Sequence, residues 1–525
     1  MRRSVRRLLA SLLVLPLTVA GCTVGPSDRP PLAVYGAPTT RSPATTTLPP
    51  TSAPTGPGGP GRAVEPIEWT DCFGDVPDTG PGGASFVVEC ASVEVPLRYE
   101  SDPTSTFQLE VARAAPSGQD PAAPVLVVVS GSPGQNGRTR VAAVAESLPE
   151  SIRKQYAVVT LDVRGTGESQ PARCIDARLT QTLIDLPPDP SEGDAADRLV
   201  EIARALTFTC TDEVGPALSY LDTTASADDL DNLRAALGTP TLTFLGSGAG
   251  ATLGAVYADR YPARVGRMVL DGPSDPMASP SEVATARGPL LNAALDAFGG
   301  ACPDFPGGCP LGDDPVSAVS DLLTSLDELP RTSSQGLLVD AGTVLLALAD
   351  GLGDVPGWPE LATALGAATR QDVQPLADLI VEQNHLDSDD NLFNGRIVYG
   401  CNDAAQRLPP AEAATAAGAL PDDDIFGRYL LGTVSLCSSW PAPEHPLGRV
   451  SAAGAAPMLV LGSVQDPTLP YDGVEALAGQ LDPAVLVSWQ SGQHGAYPAS
   501  SCVGDIVDGY LLDGSMPNNG ILCPP

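Results

Sequence analysis

The chain has 525 residues, with 63 Asp and Glu against 29 Lys and Arg, giving a formal net charge of −34. That length exceeds one small core and fits one large domain carrying an insertion, or two domains. The acidic excess excludes nucleic acid as the expected partner, because a phosphate backbone needs clustered Lys and Arg, and it marks instead a well-solvated surface.

The first elements in chain order are processing signals. "MRRSVRR" is a basic leader and "LLASLLVLPLTVA" an apolar run too short to span a bilayer. "VAGC" is a small-residue cleavage site ending in Cys22. That tetrapeptide resembles a bacterial lipobox, which implies acylation of Cys22 as the first mature residue; an ordinary cleaved signal is the alternative. Residues 23–66 are rich in Pro, Thr, Ser and Gly, including "TTRSPATTTLPPTSAPTGPGGPGR". Such a run buries too little apolar surface to offset its ordering entropy. It reads as a stalk, about 40 residues at roughly 3 Å each, reaching up to ~120 Å. No later stretch has transmembrane character, so the expected protein is exported and anchored by lipid at the outer face of the cell membrane.

From residue 67 onward, short apolar runs alternate with helical patterns. The runs are "FQLEVARA" (107–114), "PVLVVVSG" (124–131), "YAVVTLDVRG" (156–165), "TLTFLG" (241–246), "RMVLDG" (267–272), "PMLVLGS" (457–463) and "AVLVSW" (484–489). Near-continuous apolar character predicts parallel strands buried on both faces. "SADDLDNLRAALG" predicts a helix with Ser226 and Asp229 as a capping-box-like start, Leu230, Leu233 and Leu237 as its apolar stripe, and Gly238 as its end. This alternation means an α/β sheet over 67–272 and 446–525. Between 273 and 445 the strand pattern gives way to Ala/Leu-rich helical segments, predicting a helical cap over the sheet.

Setting Cys22 aside from the eleven cysteines leaves an even ten, which in an exported chain reads as a disulfide framework. Spacing does not fix the connectivity. The simplest pairing joins sequential neighbours: Cys72–Cys90, Cys174–Cys210, Cys302–Cys309, Cys401–Cys437 and Cys502–Cys523. No C-x-x-C pair or neighbouring histidine suggests a metal site, and no cofactor is expected.

Chemistry concentrates at three turns after strands. "GSGAG" (246–250) nearly spells the nucleophile elbow G-x-S-x-G, but Gly248 holds its middle and Ser247 stands one place early. Asp466 follows the run 457–463, and His494 follows the run 484–489. This is the nucleophile, acid, histidine order of an α/β-hydrolase. The other two histidines, His385 and His445, fall in the helical insertion. A Gly-rich loop, "SGSPGQNG" (130–137), supplies Gly131 and Ser132 as candidate oxyanion donors beside the backbone N–H of Ala249.

With these motifs in view, residues 67–525 resemble the tripeptidyl-aminopeptidase-like serine hydrolases of actinobacteria, relatives of the prolyl aminopeptidases. "SGSPGQ" stands for that family's Gly-Gly-Pro-Gly-Gly loop and "LDVRGTGES" (161–169) for its Asp-x-Arg-Gly-x-Gly-x-Ser turn. "DDLDNLRAALG", "LGAVYADRYPARVGRMVLDG", "CND", "DPTLPY" and "YLLDGSMPNNGILC" match in order. The resemblance implies an α/β-hydrolase fold with a mostly parallel sheet and a helical cap, Asp466 as triad acid and His494 as base. Counting from "RAALG" forward and from "LGAVYADRYP" backward puts the family's serine on position 248 without a gap. Three readings stay open. The protein is a monomeric surface lipoprotein that binds peptide without hydrolysing it, or a hydrolase of peptide N-termini or small esters, or a structural envelope protein. The second would use Ser247 or a water activated by His494.

Overall fold

In a computed structural model, the structure describes residues 65–77, 85–99, 102–120, 123–129, 131, 133–386 and 391–525. The signal, Cys22 and nearly all of the stalk therefore lie outside the described residues, as does Ser132.

The apolar runs fold into one large sheet. Its strands are β1 (Thr70–Pro77), β2 (Ser85–Arg98), β3 (Asp102–Pro116), β4 (Val125–Val129), β5 (Ala157–Leu161), β6 (Leu242–Ser247), β7 (Val265–Asp271), β8 (Met458–Ser463), β9 (Ala484–Trp489) and β10 (Ile521–Cys523). They lie in the order β1-β2-β3-β5-β4-β6-β7-β8-β9-β10. The pairs from β1 to β5 are antiparallel, and every pair from β5/β4 to β9/β10 is parallel. A parallel sheet needs cover on both faces, and this one has it. In β4, Leu126 and Val128 pack with Val141, Val503 and Val507 on one side, while Val127 joins the larger cluster on the other.

All seven apolar runs become strands, but β1, β2 and β10 were not read as such. β2 explains why. Phe86, Val88 and Cys90 are buried on one face, whereas Ala91, Val93 and Val95 are buried on the other. The strand changes its covered face at Cys90–Ala91, so no single two-residue period runs its length.

Between β7 and β8 the described chain is helical, from Pro280 to Val434, apart from a ribbon pairing Arg331–Thr332 with Leu338–Val339. The five disulfides join sequential neighbours, Cys72–Cys90, Cys174–Cys210, Cys302–Cys309, Cys401–Cys437 and Cys502–Cys523.

The helix expected near 226 is α1 (Thr223–Ala236), and its start is corrected. Asp222 is the cap, its carboxylate accepting from Ala225 N at 2.6 Å. Ser226 lies a turn inside, donating to the Asp222 carbonyl and bonded to the Tyr399 hydroxyl. Asp229 is buried in an ion pair with Arg164, with Nε to Oδ2 at 2.7 Å and Nη2 to Oδ1 at 2.5 Å. Both side chains are essentially without exposure. Arg164 gives its remaining hydrogens to the carbonyls of Pro96, Leu97 and Tyr220, so each of its five N–H groups has an acceptor. Burial opposes its charge, but the Asp229 carboxylate reverses this and raises its pKa. The arginine thereby ties the end of β2 and the turn after β5 to α1. Polar letters that look like a surface cap are in fact an interior clamp.

Removing one partner of a buried pair strands the other charge, which costs about 3–5 kcal/mol. Arg164→Met should therefore lower the urea unfolding free energy by about that amount. A change under about 1 kcal/mol, the range of exposed pairs, would contradict this role.

Candidate functional site

The site begins with a sharp turn set among three glycines, Gly246, Gly248 and Gly250. β6 ends at Ser247, Gly248 follows with φ 55° and ψ −122°, and α2 (Ala249–Arg260) starts at once. Its flanking glycines are there for space. A Cβ on Gly246 would lie 2.4 Å from the Gly250 carbonyl oxygen, and one on Gly250 only 2.1 Å from the Val129 carbonyl oxygen. Gly248 differs, because a Cβ there would meet only Gly131 O and His494 Nε2, each at 3.8 Å, ordinary contact distances. Its φ is left-handed, a conformation that glycine adopts freely and that strains any L side chain. Its N–H donates to the Asp271 carbonyl at 2.9 Å, closing the turn onto β7.

Ser247 points another way. Its Oγ accepts from the Gly131 N–H at 3.1 Å. Among the described residues no hydrogen bond joins it to His494. The same contact corrects the expectation for Gly131, whose N–H is given to this hydroxyl rather than left for an oxyanion. Ala249 opens α2, so its N–H has no partner within the helix and stays suited to that role.

The two residues placed by chain order do come together. His494 Nδ1 lies 2.7 Å from Asp466 Oδ2. The other Asp466 oxygen accepts from Thr468 N at 2.8 Å and Leu469 N at 3.3 Å, so loop amides hold the buried carboxylate. The imidazole thus gives Nδ1–H to the acid and turns Nε2 toward Cα248. The His494 backbone N–H donates to Gly353 O at 2.9 Å, tying this loop to the helical segment.

Asp271 completes the frame and was missed in the sequence. Fully buried at the end of β7, it accepts from Ala496 N and Tyr497 N at 2.9–3.1 Å, fixing the loop just past His494. Burial pushes its carboxyl pKa up. The available signal was a carboxylate directly after the apolar run "MVL", which is costly to bury without partners. For His494, burial works against the charged form; the hydrogen bond and charge of Asp466, with the charge of Asp271, outweigh it and raise the pKa. Arg287, whose own pKa burial lowers, opposes this.

His494, Thr468 and Gly131 line a cavity of about 350 Å³ together with Asp350, Asp354 and Arg396 of the helical segment. Arg396 Nη1 and Asp350 Oδ1 are 3.3 Å apart across it. Among the described residues, no group of three His, Cys, Asp or Glu could hold a metal. Chemically, the arrangement is an oriented base facing a backbone position without a side chain. It can polarise a water or a bound donor, but it presents no oxygen of its own for covalent attack.

Two families match the chain: one described as alpha/beta hydrolase fold over residues 124–335, and one described as TAP-like protein over residues 423–523. The chain is 28% identical over 501 residues to the serine protease Hip1 of Mycobacterium tuberculosis, covering 89% of this chain and 93% of that protein. It is 29% identical to carboxylesterase B of the same organism, covering 89% and 92%. It is 27% identical to the tripeptidyl aminopeptidase of Streptomyces coelicolor, covering 87% and 86%.

A raised histidine pKa in the folded state adds stability that is fully present below about pH 6.5 and is lost as pH rises through the folded value. Asp466→Asn should therefore destabilise the protein more at pH 6 than at pH 9. NMR titration should put His494 above 6.5 in the wild type and lower in the variant. Equal destabilisation at both pH values, with an unmoved titration, would contradict the coupling.

Proposed function

We propose that the chain is a member of the TAP-like α/β-hydrolase family with glycine at the nucleophile position, binding peptide or small ester ligands beside His494 with hydrolysis lost or much reduced. The observation that carries this reading is the elbow at Gly248. Its backbone keeps the left-handed bend, and a Cβ there would stand 3.8 Å from His494 Nε2, so one further atom would bring a hydroxyl within reach of the base. Loss of a triad nucleophile costs about 10⁶ in rate and leaves roughly 10³–10⁴ over water.

The intact Asp466–His494 pair favours a second reading, in which His494 directs a water and slow hydrolysis persists. Attack by Ser247 is weaker, because its oxygen accepts from the Gly131 N–H and, among the described residues, no hydrogen bond joins it to His494. Peptides and esters are the ligand classes suggested by the names of the protease, esterase and aminopeptidase relatives. Ten paired cysteines support an exported protein. The "VAGC" tetrapeptide supports anchoring through an acylated Cys22, and the net charge of −34 speaks against nucleic acid as a partner.

A fluorophosphonate probe separates these readings. The wild type should stay unlabelled, while Gly248→Ser should become labelled and gain ester hydrolysis of about 10²-fold or more, despite about 1–3 kcal/mol of backbone strain at the new serine. Wild-type labelling that disappears in Ser247→Ala would overturn the proposal. Residual wild-type hydrolysis abolished by His494→Ala, without labelling, would select the water reading.

A further inference from the structure

Arg396 faces two spaces at once. It lines the cavity around His494, and it also lines a second cavity of about 580 Å³. The second is walled mainly by carbon: Leu183, Leu186, Leu346, Phe393, Ile397 and Leu436. Its size falls within the ordinary range for small-molecule sites. Apolar walls offer water few partners, so such a space favours an apolar occupant.

The polar groups on this wall are mostly taken. Asp403 accepts from Thr223 N and Thr223 Oγ1 at 2.8 and 2.7 Å. Thr252 Oγ1 accepts from Ser274 N at 3.0 Å. Arg396 is the exception: Nη1 is shared with Asp350, but its buried Nε has no acceptor among the described residues. The Arg396 side chain is 36% exposed overall, but its buried, unpaired Nε–H beside the apolar wall favours a ligand oxygen. Asp350 already offsets part of the positive charge, so that oxygen can belong to a neutral carbonyl as well as to a carboxylate.

We propose that this chamber binds a single aliphatic acyl chain, with its tail against the apolar walls and its carbonyl or carboxylate oxygen accepting from Arg396 Nε. The head of the ligand then lies at the junction with the His494 cavity, and the tail runs away from it. The inference goes beyond the reading of the elbow and does not depend on whether the protein hydrolyses anything.

Gly400 gives a clean way to test it. It lines the chamber on α3 (Leu392–Asp403), is exposed, and a Cβ there would meet nothing within 4 Å. Gly400→Leu therefore fills the space without a backbone clash, and leucine is the better helix former, so the fold is kept. Binding is read on the full chain by displacement of fluorescent cis-parinarate with octanoate, decanoate, dodecanoate and methyl dodecanoate. Affinity should rise about fourfold per methylene. Gly400→Leu should weaken dodecanoate at least tenfold with a melting temperature no lower than that of the wild type. Arg396→Gln should weaken the acid alone if the ligand is a free fatty acid, or the acid and the ester alike if it is a neutral acyl group. Absence of saturable binding, no dependence on chain length, or dodecanoate binding unchanged in either variant would overturn the proposal. The readout is occupancy of the chamber, not labelling at position 248, so failure here leaves the elbow reading untouched, and the converse also holds.

Discussion

Everything at the site depends on how closely α2 approaches β4. Gly250 passes so near the Val129 carbonyl that a Cβ would overlap its oxygen, and Gly246 stands in the same relation to Gly250. This close approach accompanies the turn from β6 into α2, with the left-handed bend at residue 248. The bend is held by these neighbours and by the backbone hydrogen bond from residue 248 to Asp271, not by a side chain at 248. The frame around position 248 needs no side chain there, because the contacts residue 248 makes are those of its backbone.

The base is preorganised to a similar degree. Asp466 orients the ring, Asp271 fixes the loop just past it, and Gly353 holds its backbone. Fixed partners of this kind remove the need for reorganisation when charge develops. They also set the sign of the electrostatics, since two buried carboxylates favour the imidazolium against the opposing effect of burial and Arg287. An imidazole so placed is positioned to exchange a proton with whatever occupies the space in front of Cα248, whether water or a bound ligand. The Arg164–Asp229 clamp does comparable work at a distance, holding α1 and the turn after β5 to the antiparallel edge.

Much of this was legible in the residues. The parallel strands announced themselves as apolar runs because both their faces are covered, and Asp466 and His494 could be placed because strand ends in this order converge on one edge of the sheet. Other features arise only in three dimensions. β2 escaped notice because it buries opposite faces along its two halves. The polar letters at 226 and 229 looked like a helix cap because nothing local reveals Arg164 and Tyr399 arriving from elsewhere. The Gly131 amide looked like an oxyanion donor until Ser247 was seen to take it. Asp271 and Arg396 gain their meaning from partners roughly 225 and 46 positions away in sequence. Periodicity does not reach that far.

The central claim is geometric: a side chain at position 248 would stand in front of His494 Nε2. Gly248→Cys tests it directly, because a thiol held against an imidazole ionises well below its ordinary pKa of about 8.5. The measurement is the pH dependence of iodoacetamide alkylation, alone and combined with His494→Ala. The expected result is alkylation that persists into the acidic range and reverts toward ordinary thiol behaviour when the histidine is removed. An ordinary thiol profile, indifferent to His494, would contradict the claim.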